Sequence, residues 1–215
     1  MARITVLGGT GYAGGNIVAV AAQRGHTVTS YSRKPPAQPV AGVDYRTGDV
    51  TDAATLADAF SQADVVVSAL VPRGNMADGV VRQADAAAAK LAQANGVRFG
   101  VIGGAGSLQV TAGGPTLAET PDFPNDYKSE AAEMTSVLDD LRASDPTLDW
   151  FFVSPAANFG AWVPGEATGK FRVGGDVLLV DDKGESNISG ADLALAIVQE
   201  IETPQHRRAR FTVSY

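Results

Sequence analysis

Residues 8–15 read Gly8-Gly9-Thr10-Gly11-Tyr12-Ala13-Gly14-Gly15, five glycines in eight positions, directly after the apolar run Arg3-Ile4-Thr5-Val6-Leu7. A glycine inside a strand or helix costs roughly 0.5–1 kcal/mol relative to alanine, so so dense a cluster requires a reason. Its position supplies one. An apolar strand precedes it and an apolar-periodic helix follows, and it contains both Gly9-x-Gly11-x-x-Gly14 and, offset by one, Gly8-x-x-Gly11-x-x-Gly14. In a strand-turn-helix setting one glycine makes the tight turn, the next lets backbone approach a pyrophosphate, and the last lets helix pack on strand. The helix amides then hold the phosphates. The stretch therefore predicts dinucleotide binding through Gly8, Thr10, Gly11, Tyr12, Ala13 and Gly14.

The rest of the chain follows the same rhythm. Strands are predicted at 3–7, 26–31, 43–46, 64–69, 97–103, 149–153 and 209–214, with helices at 12–24, 52–61, 76–94, 126–143 and 190–202. Gly25 and Gly96 follow two of the helices and Asp52 opens another. Such alternation predicts an α/β fold, a doubly wound, mostly parallel sheet of Rossmann type. No repeat or linker divides the sequence, so residues 1–215 read as one domain. The loop-rich excursion 154–189 is expected to cover a ligand site, because such loops follow the carboxyl ends of strands.

Composition excludes several classes. The 215 residues are 45% hydrophobic and 19% charged, enough for a sizeable core. A net charge of −7 argues against nucleic acid and anionic lipid as partners. No membrane span or signal peptide is recognisable, which predicts a cytoplasmic protein with no membrane partner. With no cysteine, and with His26 and His206 far apart, no metal site is expected. A monomer and a homodimer are both compatible with these features.

Cofactor choice is read at the end of the second strand. An NAD site commonly places an acidic residue there, about 20 residues past the glycines, to bind the ribose hydroxyls. The chain has Ser30-Tyr31-Ser32-Arg33-Lys34 instead. Arg33 can meet a 2′-phosphate as a charged fork, and Ser32 can donate to it, so NADP(H) is expected over NAD(H).

Further runs carry a resemblance. Gly8 to Gly14, Gly48-Asp49-Val50-Thr51-Asp52 and Val67-Ser68-Ala69-Leu70 resemble the atypical short-chain dehydrogenase/reductases. Residues 101–108 (VIGGAGSL), 120–128 (TPDFPNDYK), 169–172 (GKFR) and 174–176 (GGD) are similar to the NAD(P)H-binding proteins described as NADH-flavin reductases, relatives of biliverdin reductase B and of NmrA-like proteins. The resemblance spans essentially the whole chain. It implies Asp49 and Val50 beside adenine, Ala69 and Leu70 beside the ribose of the nicotinamide half, and Gly103 and Pro155 near the nicotinamide.

The catalytic pattern of the larger superfamily is not matched. Its Tyr-x-x-x-Lys pair uses lysine to lower the tyrosine pKa. Here Lys128 has Pro124 four residues before it, and adjacent Tyr127 would point to another side of a helix. Ser107, Tyr127 and Lys128 remain the candidate catalytic groups. Hydride transfer to a flavin needs no acid to quench an alkoxide, only two rings held face to face. Phe123, Tyr127, Phe159 and Trp162 could wall such a site, the small-molecule acceptor being a flavin, a quinone or a similar flat molecule. Three readings stand: an NADPH-dependent reductase, a non-enzymatic NADP(H) sensor of NmrA type, and an epimerase or dehydratase, against which the missing tyrosine-lysine pair argues.

Overall fold

The computed structural model describes residues 1–215. Eight strands form one sheet: β1 (Arg3–Leu7), β2 (Thr27–Ser32), β3 (Asp44–Thr47), β4 (Val65–Ser68), β5 (Arg98–Ile102), β6 (Trp150–Ser154), β7 (Arg172–Gly174) and β8 (Ala209–Ser214). Their order is β3-β2-β1-β4-β5-β6-β8-β7, parallel throughout except for β7 against β8. The helices are α1 (Tyr12–Gln23), α2 (Ala53–Phe60), α3 (Val80–Asn95), α4 (Lys128–Arg142) and α5 (Gly190–Glu202). The chain order reverses direction across the sheet between β1 and β4, and such a switch point opens a crevice at the carboxyl ends of the strands.

Strand alternation divides the core into two layers. Val65 and Val67 of β4, with Phe151 and Val153 of β6, pack against Ile17 and Val18 of α1 and Leu193 and Ile197 of α5. Val66, Trp150 and Phe152 point the other way, onto Leu56 and Phe60 of α2, Val81 and Ala88 of α3 and Leu138 of α4. With both faces covered, central strands read as continuous apolar runs.

Three boundaries differ from the sequence expectation. Helix α3 begins at Val80, not at residue 76, because Gly74, Asp78 and Gly79 all have positive φ (59°, 60° and 88°), which no α-helix accommodates. Helix α4 begins at Lys128, after a 3₁₀ turn at Asn125–Tyr127. Strand β7 lies inside the stretch expected to be irregular; it is three residues long, mostly exposed and next to Gly174-Gly175, so it carries no alternation to read.

Candidate active site

The glycine turn is built by contacts that leave no space for side chains. Gly8 has φ +79°, and a Cβ there would lie 2.9 Å from the Ala69 carbonyl oxygen. A Cβ on Gly14 would lie 2.3 Å from the Gly8 oxygen, so this glycine seats α1 on the turn. Gly11 is different. Its φ is −74° and the nearest atom to a Cβ is the Gly8 oxygen at 3.3 Å, so folding makes only a slight demand for glycine here. Its bare face lines the cleft. A residue kept small without a packing reason, at the N-terminus of a helix, fits a phosphate that must reach the backbone.

That cleft has a volume of about 630 Å³ and runs over the carboxyl ends of β1, β2, β3 and β4. Gly8, Thr10, Gly11, Ser32, Arg33, Asp49, Val50 and Leu70, all expected to bind cofactor, line it together. Tyr12, Ala13 and Gly14 do not line the cleft; they carry the first-turn amides of α1 next to Gly11, which have no intrahelical acceptor, and the Tyr12 side chain turns elsewhere. Ala69 lies behind the wall, buried against Gly8. Ser32 departs from the expectation of a phosphate donor: its one hydroxyl proton goes to the Tyr31 carbonyl (2.7 Å) and its oxygen accepts from the Thr10 N–H (3.1 Å), tying β2 to the glycine turn and leaving no donor for a 2′-phosphate. Asp52 caps α2 through the Thr55 N–H (2.9 Å). This leaves Asp49 free to face the cleft, its carboxyl held below the ordinary carboxylate range by Thr51, whose N–H and hydroxyl both donate to it, with Arg33 adding to the effect. Arg33 reaches across to the side-chain oxygen of Asn75.

A second cavity of about 150 Å³ sits beyond the ends of β5 and β6. Gly103 and Pro155 line it, as do Phe123, Tyr127, Phe159 and Trp162. The Tyr127 and Trp162 rings stack at 6.4 Å between centroids with 13° between planes. Arg73 lines both cavities; its guanidinium carbon lies 5.5 Å from the Tyr127 ring centre and 5.8 Å from that of Trp162. It also grips Glu130 through two hydrogen bonds of 2.6 and 3.2 Å.

Of the candidate catalytic groups, Tyr127 alone lines this cavity. Ser107 stands outside it, where Arg210 Nη1 donates to its hydroxyl oxygen (2.9 Å) and its carbonyl (3.1 Å), an arrangement that fixes the 104–107 turn. Lys128 is exposed at the start of α4 and forms no ion pair, and neither it nor Ser107 lines the second cavity. Sequence reasoning missed Arg73 and Glu130. The spacing of Tyr127, Glu130, Ala131 and Met134 at three and four residues marks one helical face and could have revealed Glu130; Arg73 follows the end of β4 at the switch point, a place that alone marks it.

The match to known proteins agrees with this geometry. A family model described as NAD(P)H-binding covers residues 8–204, and the chain belongs to that family. The uncharacterized protein YwnB of Bacillus subtilis is 36% identical, over 98% of this chain and 97% of the relative. Among solved structures, SP1627 of Streptococcus pneumoniae, named a "putative NADH-flavin reductase", superposes with a TM-score of 0.89 at 31% identity, covering 100% of this chain and 99% of that one. A protein of Bacteroides thetaiotaomicron named a "putative epimerase" gives a TM-score of 0.87 at 30% identity, covering 100% and 97%. The two solved structures share this chain's α/β Rossmann-type fold.

Proposed function

We propose that this NAD(P)H-dependent oxidoreductase uses NADPH in preference to NADH and delivers a hydride to a flat conjugated acceptor, a flavin or a quinone. The observation that carries the reading is the junction of a phosphate-competent cleft with a small aromatic-walled cavity that holds no tyrosine-lysine acid pair. The α1 amides and Gly11 would hold the pyrophosphate, Arg33 the 2′-phosphate, and Gly103 and Pro155 the nicotinamide face. Bound nicotinamide supplies the hydride. The chain's part is positional: Phe123, Tyr127, Phe159 and Trp162 stack with the acceptor, while Arg73 places positive charge beside the electrons the acceptor gains. Arg73 remains paired with Glu130, which moderates that charge.

An epimerase or a carbonyl reductase would need a group to take up and return a proton at the reacting carbon or oxygen. Tyr127 carries the one hydroxyl in the cavity, no lysine lies there, and the Glu130 carboxylate is held by Arg73. The test is steady-state NADPH oxidation with FMN, FAD, riboflavin and simple quinones, alongside calorimetry with NADPH and NADH. Turnover of one of these acceptors with tighter NADPH binding is expected. Tight NADPH binding without turnover on any acceptor would favour the non-enzymatic sensor of NADP(H) state.

A further inference from the structure

Tyr12 has two ends that serve different parts of the molecule. Its backbone N–H is in the first turn of α1, where the glycine turn meets the cleft. Its side chain leaves that cleft altogether. The ring packs on Phe159 at 5.4 Å between centroids with 53° between planes, and its hydroxyl donates to the Pro164 carbonyl at 3.2 Å. The same oxygen accepts from the Gly190 N–H at 3.1 Å, so the phenol is oriented from both sides.

Phe159 and Pro164 are the two ends of one tight turn. The Val163 N–H donates to the Gly160 carbonyl at 3.0 Å to close it, and Trp162 sits near its tip, folded back over Gly160, where a Cβ would come within 2.3 Å of the indole. The Trp162 ring in turn lines the second cavity, so a shift of this turn changes the room there. On the reading of this cavity as the acceptor site, the placement of this turn sets the room an acceptor has. Gly190, the third partner, opens α5, whose Ser189 cap accepts from the Asp192 N–H at 3.1 Å and gives the strut a fixed abutment.

We propose that Tyr12 is a positioning residue that ties nucleotide occupancy of the glycine turn to the placement of the Trp162 turn, and so to the room available for the acceptor. The inference rests on the reading of the two cavities as adjoining nucleotide and acceptor sites. A phosphate held by the α1 amides immobilises the residue whose other end grips both ends of the turn. Removing the hydroxyl breaks the connection to Pro164 and Gly190 while the ring stays.

The chain supplies its own reporter. Its two tryptophans are Trp150, 1% exposed, and Trp162, 63% exposed, so a ligand-induced change in emission reports chiefly on Trp162. NADP⁺ is the probe, because it does not absorb where tryptophan emits, and calorimetry on the same samples shows when the site is saturated. Saturation of the wild-type protein should shift the emission, and Trp162→Phe should abolish the shift. In Tyr12→Phe the shift at saturation should shrink at least about twofold, and the acceptor KM should rise about 2- to 10-fold with kcat little changed, the range for losing an ordinary hydrogen bond. Phe159→Leu, which removes the ring contact, should shrink the shift likewise. A full-sized shift and an unchanged acceptor KM in Tyr12→Phe would overturn the proposal, as would wild-type protein that binds NADP⁺ with no change at Trp162. If neither NADP⁺ nor NADPH gives binding heat, the cofactor reading falls and takes this inference with it. If the shift behaves as expected but no acceptor turns over, the flavin or quinone reading falls alone.

Discussion

At the scale of single residues, Gly11 and Arg33 carry the cofactor argument. Valine at Gly11 meets ordinary φ and only a slight crowding by the Gly8 oxygen, so the fold should survive while the branched side chain occupies the place of the pyrophosphate. Calorimetry should show NADPH binding lost in Gly11→Val, with thermal unfolding close to wild type; retained affinity in the folded variant would refute the phosphate assignment. Arg33 is exposed at the cleft and makes its one side-chain hydrogen bond to exposed Asn75, so its truncation leaves no buried partner stranded. Arg33→Ala should weaken NADPH by about 1.5–3 kcal/mol, the range for a hydrogen bond to a charged group, and change NADH little. Equal losses for both nucleotides would mean that Arg33 does not read the 2′-phosphate. Ser32 shows why a residue list falls short of a site. The sequence offers its hydroxyl as a phosphate donor, yet in the structure that proton goes to the Tyr31 carbonyl and the oxygen joins β2 to the glycine turn, so its loss would loosen the cradle itself.

At the scale of elements, α3 carries a charge problem. Asp85 is buried against β4, where the Ser68 hydroxyl donates to one oxygen at 2.6 Å and the other oxygen has no partner. Burial pushes its carboxyl up to about 7, with the nearby Glu133 carboxylate acting in the same direction and Ser68 opposing. An unfolded aspartate titrates near 3.9, so between about pH 4 and pH 7 the folded protein binds the extra proton. Stability contributed by this group is therefore lost as pH rises through that window. Asp85→Asn keeps an acceptor for Ser68 and has no proton to release, so the difference in Tm between variant and wild type should move in the variant's favour from pH 5 to pH 8. The expected size is about 2–4 °C for each kcal/mol of linkage removed; melting curves that shift in parallel at both pH values would rule it out. Elements were also where the sequence spoke most clearly. Every predicted strand and helix lies within a few residues of an observed one, because strands covered on both faces and helices with one apolar face leave strong patterns. The start of α3 and the whole of β7 escaped, since left-handed residues and a short, exposed edge strand leave no periodic trace. The site divides in the same way. The glycine turn was legible because its chemistry is local, whereas Arg73 and Glu130 meet across 57 positions of sequence, and the loops alone bring them together.

At the scale of the whole molecule, the nucleotide cleft draws its lining from residues 8–76 and the second cavity from residues 103–162, with Arg73 common to both. If the second cavity works by holding rings in place, Tyr127→Phe should leave flavin reduction within a few-fold of wild type, while Trp162→Ala should raise the acceptor KM and leave NADPH affinity nearly as it was. A proton donor would show the opposite order, with Tyr127→Phe losing about 10²–10⁴-fold in kcat. Steady-state kinetics on the two variants distinguishes these cases. The division along the chain has a consequence for recombination. A crossover placed in β5, between the two linings, would bring in a relative's whole acceptor lining except Arg73, which would stay with the nucleotide lining in the N-terminal half. The Tyr12 hydroxyl would not obstruct such a hybrid, because both groups it bonds, the Pro164 carbonyl and the Gly190 N–H, belong to the main chain and would be offered by almost any donor segment that keeps the turn.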